Sequence, residues 1–184
     1  MMRVAVTDGM AKEAVKKLEN AGCDVIQEFI EHNDLVNGAL AEFDAVIVRS
    51  ATKLSEEMMQ ASLPRLKVIA RAGVGVDNID VDAASKLGLP VVNAPRASTQ
   101  SVVELTIGHL LGSLRFIPRA DRSLRSGQWA KKELKGTELF GKRLGLIGFG
   151  RIAQGVAKVA QAFGMEVHSY DPYLPLSVAK KVGV

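Results

Sequence analysis

Residues 144–153 read Leu-Gly-Leu-Ile-Gly-Phe-Gly-Arg-Ile-Ala, and the segment they open runs on to Tyr170-Asp171 as strand, glycine turn, helix, strand and acid. The apolar run Leu144 to Ile147 has the length of a buried parallel strand. It stops at Gly148-Phe149-Gly150, where glycine lets the backbone turn sharply and approach a ligand closely. Ile152, Val156, Val159, Ala160 and Phe163 then recur at helical spacing, so the turn feeds a helix N-terminus, whose free N–H groups and partial positive charge suit a pyrophosphate. Gly164 ends that helix and Met165 to Tyr170 reads as a second strand. Asp171 follows 21 residues after Gly150, near the distance at which a carboxylate meets an adenosine ribose. A lone G-x-G-x-x-G is weak, and its third position is here Ala153, which the pattern tolerates because only a small residue is needed there. The flanking strand, helix and acid supply the missing weight. A carboxylate at 171 accepts hydrogen bonds from ribose hydroxyls and repels a 2′-phosphate, and no Arg follows to offset that, so NAD is expected over NADP.

Outward from this segment, composition narrows the classes. With 47% hydrophobic and 24% charged residues, the chain is globular rather than disordered, and no apolar run reaches the roughly 20 residues of a membrane span. Its start, Met-Met-Arg-Val-Ala-Val, reads as a strand and lacks the pattern of a signal peptide. The single Cys23 excludes an internal disulfide, and a cytoplasmic location is expected. A net charge of +4 without a basic stripe interleaved with aromatics argues against nucleic acid as a partner. Basic residues crowd one segment, Arg115 to Lys135, which reads as a solvated helix face or a contact for an anionic substrate or second subunit.

Taken in order, β and α alternate from the first residue. Strands are expected at 3–7, 24–27, 45–49, 66–70 and 90–93, and helices at 11–21, 34–41, 55–61 and 81–87. That rhythm predicts a parallel, flavodoxin-like doubly wound domain over residues 1–95, with an incomplete Rossmann dinucleotide-binding domain over 96–184. Pro95 to Ser101 reads as a hinge-like connection, followed by an apolar helix over 102–117 expected to be buried on several sides. Gly108 and Gly112 are expected to admit a second helix, and one face of this helix is the expected seat of a homodimer. An irregular arm is expected over 126–142, around Trp129.

VRSATKLS at 48–55, ARAGVGVDNID at 70–80, NAP at 93–95, VVEL at 102–105, GTELFGKRLGLIGFGRIA at 136–153 and YDP at 170–172 together resemble the D-2-hydroxyacid dehydrogenase family over the whole chain. The resemblance implies an N-terminal substrate domain, a nucleotide domain after it and a site in a cleft between them. It assigns the substrate to Arg49, Ser50, Gly73, Val74, Gly75 and Ser98, the last where relatives often carry Asn. It assigns the cofactor, NAD, to Val74, Gly148, Gly150, Arg151, Ile152 and Asp171. Chemistry supports two of these independently: a guanidinium at a strand end forks onto carboxylate or phosphate, and the amides of Gly73-Val74-Gly75 can form an anion nest.

The substrate expected from the resemblance is 3-phospho-D-glycerate, oxidised to 3-phosphooxypyruvate at the start of L-serine synthesis. Glycerate, glyoxylate or D-lactate remain alternatives, as does a non-catalytic, dimerising NAD-binding protein. No metal site and no catalytic residue is expected within the chain. His109 and His168 read as structural, His32 as a surface residue, and the Arg, Glu and His that relatives use for catalysis lie later in their nucleotide domain. The chain therefore reads as truncated, inactive alone, with an open edge on its second sheet.

Overall fold

Short apolar runs alternate with helical segments through the first half of the chain, and each run becomes a strand. The computed structural model describes residues 1–184 and divides into two units, Met1–Ala97 and Ser98–Val184. The first holds β1 (Met2–Val6), α1 (Lys12–Asn20), β2 (Cys23–Gln27), α2 (His32–Val36), β3 (Ala45–Val48), α3 (Glu56–Ala61), β4 (Val68–Arg71), α4 (Val81–Lys86) and β5 (Val91–Asn93). All five strands are parallel, in the order β2-β1-β3-β4-β5, the flavodoxin-like order.

Strand periodicity decides which side chains are inside. Ala5, Val46, Val48 and Ile69 face the larger core with Leu40, Met58, Met59 and Leu66. Their neighbours Val4, Val6 and Ala45 point to the opposite face and a smaller cluster. Ser55 and Asp80 start α3 and α4 by accepting from the amides of Met58 and Ala83, at 3.5 and 3.0 Å. The helix expected over 34–41 is instead α2 followed by a 3₁₀ turn, Ala39–Glu42. Gly38, at φ +85°, breaks the helix between them.

The second unit holds α5 (Thr99–Leu114), α6 (Ile117–Arg125), β6 (Arg143–Ile147), α7 (Arg151–Ala162), β7 (Glu166–Tyr170) and α8 (Leu176–Lys181). β6 and β7 form a two-stranded parallel sheet, and the other edge of β6 is unpaired. The helix expected over 102–117 is two helices. Phe116 adopts a left-handed φ of 54°, and Pro118, which has no N–H to give a preceding carbonyl, belongs to the first turn of α6.

The expected burial of α5 on several sides is also corrected: only Val103 and Ile107 are buried, and Leu105 is 60% exposed. Of the two glycines expected to admit a helix, Gly108 faces none and Gly112 meets only the start of α6. A Cβ at 108 would meet nothing within 4 Å, and at 112 only the Pro118 ring. The close approach is at Gly155 of α7, where a Cβ would lie 2.6 Å from Val103 Cγ2. The stretch 126–142 is irregular apart from a 3₁₀ turn, Lys131–Glu133, and Trp129 is exposed. No helix is long and apolar enough to cross a membrane.

Candidate functional site

The pairing register of the first sheet brings its carboxyl ends level. Val48 lies opposite Arg71 and Arg71 opposite Asn93, so Arg49 and the 72–78 loop emerge side by side. In open α/β sheets this edge is where ligands collect, at the point where strand order reverses, here between β1 and β3. Arg49 and Ser50 are exposed there, and the Arg49 guanidinium makes no hydrogen bond or ion pair within the chain. A surface ion pair therefore does not account for it.

Gly73 donates its N–H to Arg71 O at 2.8 Å, leaving the amides of Val74 and Gly75 as the unengaged donors of the expected anion nest. The Gly73 and Val74 carbonyls are held by Ala94 N at 2.9 Å and Asn93 Nδ2 at 2.7 Å. A side chain at 73 would fall on the Arg71 guanidinium, and one at 75 would come within 2.7 Å of Asp77 Oδ1, so either substitution would displace one of these side chains. Arg71 Nε and Asn78 Oδ1 are buried without a partner.

Four residues that the sequence reading passed over surround Arg49. Asp8, just past β1, accepts from Arg49 N at 2.6 Å, Thr52 N at 3.1 Å and Thr52 Oγ1 at 2.6 Å. Thr52 Oγ1 also lies 2.8 Å from Thr7 Oγ1; since its single proton goes to the carboxylate, Thr7 donates to it. Asn78 Nδ2 donates to Arg49 O and Thr52 O, both at 2.7 Å. Burial alone would raise the Asp8 pKa, but hydrogen bonds from Thr52, Arg49 and Ala51 outweigh it and hold the carboxyl below its ordinary value. The one sequence signal was an Asp-Gly directly after the first strand, at a carboxyl end.

In the second unit the glycine turn has the form its spacing predicts. Gly148 sits at φ +84° and donates to Tyr170 O at 2.7 Å, whereas Gly150 is extended and begins α7 with no side-chain cap. Nothing lies within 4 Å of a Cβ placed at either glycine. Internal packing therefore does not require Gly150, and the space before the helix is open. Phe149 points the other way and is 1% exposed, anchoring the turn in the core, and Gln154 Nε2 donates to its carbonyl at 2.9 Å. Arg151 and Ile152 form the first turn of α7, and both are exposed.

Asp171 is not a free carboxylate. Its Oδ2 accepts from Phe149 N at 2.7 Å, and its Oδ1 from Tyr173 N and Leu174 N at 2.9 and 3.1 Å. The bond from Phe149, then that from Tyr173, lower its pKa. Ser98 opens α5 without a capping bond from its side chain.

The histidines are dispersed. His32 begins α2, His109 is exposed on α5, and His168 pairs with Glu166 at 2.8 Å on the exposed face of β7. No cluster of three metal-ligating side chains occurs. The basic residues near α6 face solvent, with Arg119 paired to Glu133 and Arg125 to Asp121.

A family model described as D-isomer specific 2-hydroxyacid dehydrogenase, catalytic domain, matches residues 4–178. The chain is 47% identical over its full length to a D-3-phosphoglycerate dehydrogenase of Methanocaldococcus jannaschii, of which it covers 35%. It is 49% identical over 174 residues to a hydroxypyruvate reductase of Thermotoga maritima, of which it covers 56%. Among solved structures, the NAD+-bound 3-phosphoglycerate dehydrogenase of Entamoeba histolytica aligns with a TM-score of 0.73 at 34% identity, over 95% of this chain and 55% of that one. The chain thus spans between a third and somewhat over half of the proteins it resembles. With the family pattern running through nearly all of its residues, the chain belongs to the D-isomer specific 2-hydroxyacid dehydrogenases.

Proposed function

We propose that the polypeptide works as part of an NAD-dependent oxidoreductase of the cytoplasm, acting on the CH–OH group of a D-2-hydroxy acid. The proposed substrate is 3-phospho-D-glycerate, oxidised to 3-phosphooxypyruvate in L-serine synthesis. The observation that carries the reading is the open space in front of Gly148 and Gly150 at an uncapped helix N-terminus, with Asp171 fixed beside it. A dinucleotide fits this chemistry: the first turn of α7, with Arg151 and Ile152, faces the pyrophosphate and Asp171 the adenosine ribose. Bound nicotinamide supplies the acceptor for the hydride leaving the hydroxyl-bearing carbon. Arg49, Ser50 and the amides of Val74 and Gly75 hold the substrate's anionic groups, with Val74 also against the nicotinamide and Ser98 near the substrate.

A base must also take the hydroxyl proton. Of the three histidines only His32 comes near the Arg49 loop, lining a hollow with Ala51, Thr52 and Lys53. Since the resemblance puts the catalytic histidine later in the nucleotide domain, we place the base outside residues 1–184 and expect no turnover from this chain alone. A phosphate-bearing substrate is supported by the unpaired Arg49 and by relatives named as phosphoglycerate dehydrogenases.

Calorimetric titration of NADH, NADPH, 3-phospho-D-glycerate and hydroxypyruvate into the purified chain tests the assignment. NADH is expected to bind more tightly than NADPH, and phosphoglycerate more tightly than hydroxypyruvate. Equal affinity for the two cofactors rejects the role of Asp171, and preference for hydroxypyruvate moves the substrate to an unphosphorylated acid.

A further inference from the structure

We propose that Asp8 and Asn78 are positioning residues that hold the 49–52 loop in one shape, so that Arg49 and Ser50 present their side chains at fixed points. This rests on the reading of Arg49 as an anion contact. The loop is gripped at both ends and by both kinds of backbone group. Asp8 takes the N–H groups of Arg49 and Thr52, and Asn78 takes the carbonyls of the same two residues.

The two grips are chemically complementary. A carboxylate only accepts, so it suits two amides and a hydroxyl, while the two carbonyls facing Asn78 require its NH₂ end. Reversing the carboxamide would set oxygen against oxygen; the observed orientation persists although it leaves Asn78 Oδ1 buried and unpartnered. Thr7 and Thr52, both buried, complete the network behind Asp8. The segment is tied further by Leu54, which exchanges backbone bonds with Asn78 and Asp80 at 2.9 and 3.0 Å. The exposed Arg49 and Ser50 make no side-chain bonds of their own. A long guanidinium-bearing side chain loses least entropy on binding when its Cα and Cβ are already fixed, which is what the clamp provides.

The test is calorimetric titration of 3-phospho-D-glycerate into the full chain, into Asp8→Ala, Asn78→Ala and Arg49→Ala, and into the two variants that combine a clamp substitution with Arg49→Ala. Each clamp variant is expected to weaken binding about tenfold while leaving NADH affinity unchanged. Neither should weaken it further in the Arg49→Ala background, because both act through Arg49. Unchanged affinity, or losses that add fully to that of Arg49→Ala, overturns the proposal.

Amide hydrogen exchange at Arg49 and Thr52 in the ligand-free chain reads the clamp without substrate. Protection that falls in Asn78→Ala, although that change removes neither amide's own acceptor, supports it; unprotected amides overturn it. A chain that takes up no phosphoglycerate yet shows Asn78-dependent protection refutes the substrate assignment of Arg49 and leaves the clamp standing. Should Asp8→Ala fail to fold, Asn78→Ala carries both measurements.

Discussion

Asp171 carries a structural task beside the recognition role proposed for it. The spacing from Gly150 marks it as a ribose acceptor, and in the folded chain the same carboxylate also ties Phe149 N, at the centre of the glycine turn, to the end of β7. Asp171→Ala is therefore expected to weaken NADH about tenfold, narrowing its advantage over NADPH, and to speed hydrogen exchange at the Phe149 amide. Loss of affinity with unchanged exchange would confine Asp171 to the ribose. The pH dependence follows from the direction of its shift. A carboxyl whose pKa is lowered on folding stabilises the native state fully above its ordinary value of 3.8, and that contribution fades as pH falls through the lower folded value. Asp8 has the same sign. Acid titration by NMR should find both midpoints below 3.8, and a midpoint above it would show that the hydrogen bonds do not favour the charged form.

Among the elements, α5 departs furthest from its sequence pattern. Apolar residues on several faces predict burial all round, yet within this unit the helix has α7, the short α6 and a two-stranded sheet to pack against, and Leu105 stays exposed. We propose that a second copy of the chain covers this face. Light scattering should then give twice the 19.7 kDa chain mass at micromolar concentration, and Leu105→Asp should lower it; a monomer throughout excludes the dimer. The contact that does form makes a second prediction. Gly155→Ala places a methyl 2.6 Å from Val103 Cγ2 and should cost about 1–3 kcal/mol of stability by overpacking. Val103→Ala in the same chain should recover part of it, and denaturation midpoints of the parent chain, the two single variants and the double variant measure the coupling.

In the whole molecule, each unit has its own apolar cluster, and the second presents the unpaired edge of β6 with Ile147 at its end, 95% exposed. An unpaired strand edge is a template for further pairing. Following NADH absorbance with NAD and 3-phospho-D-glycerate, the chain alone should show no turnover above that of Arg49→Ala. Robust turnover lost in that variant would place a complete active site within these residues.

The order of strands and helices, the glycine turn and the family motifs were legible in the chain because each depends on residues within about 20 positions of one another: apolar periodicity, glycine punctuation, a turn followed by an acid. Helix ends were less so, since Gly38 and Phe116 break helices that apolar spacing alone would continue. The clamp around Arg49 could not be read that way. Asp8 and Asn78 lie 41 and 29 positions from it, and their carboxylate and carboxamide look like ordinary loop residues until parallel pairing sets β1, β3 and β4 side by side. Likewise, nothing local distinguishes Gly155 from Gly108. Which of the two a neighbouring helix presses against is decided only when α5 and α7 pack, because close packing is a property of two surfaces and a sequence pattern describes one.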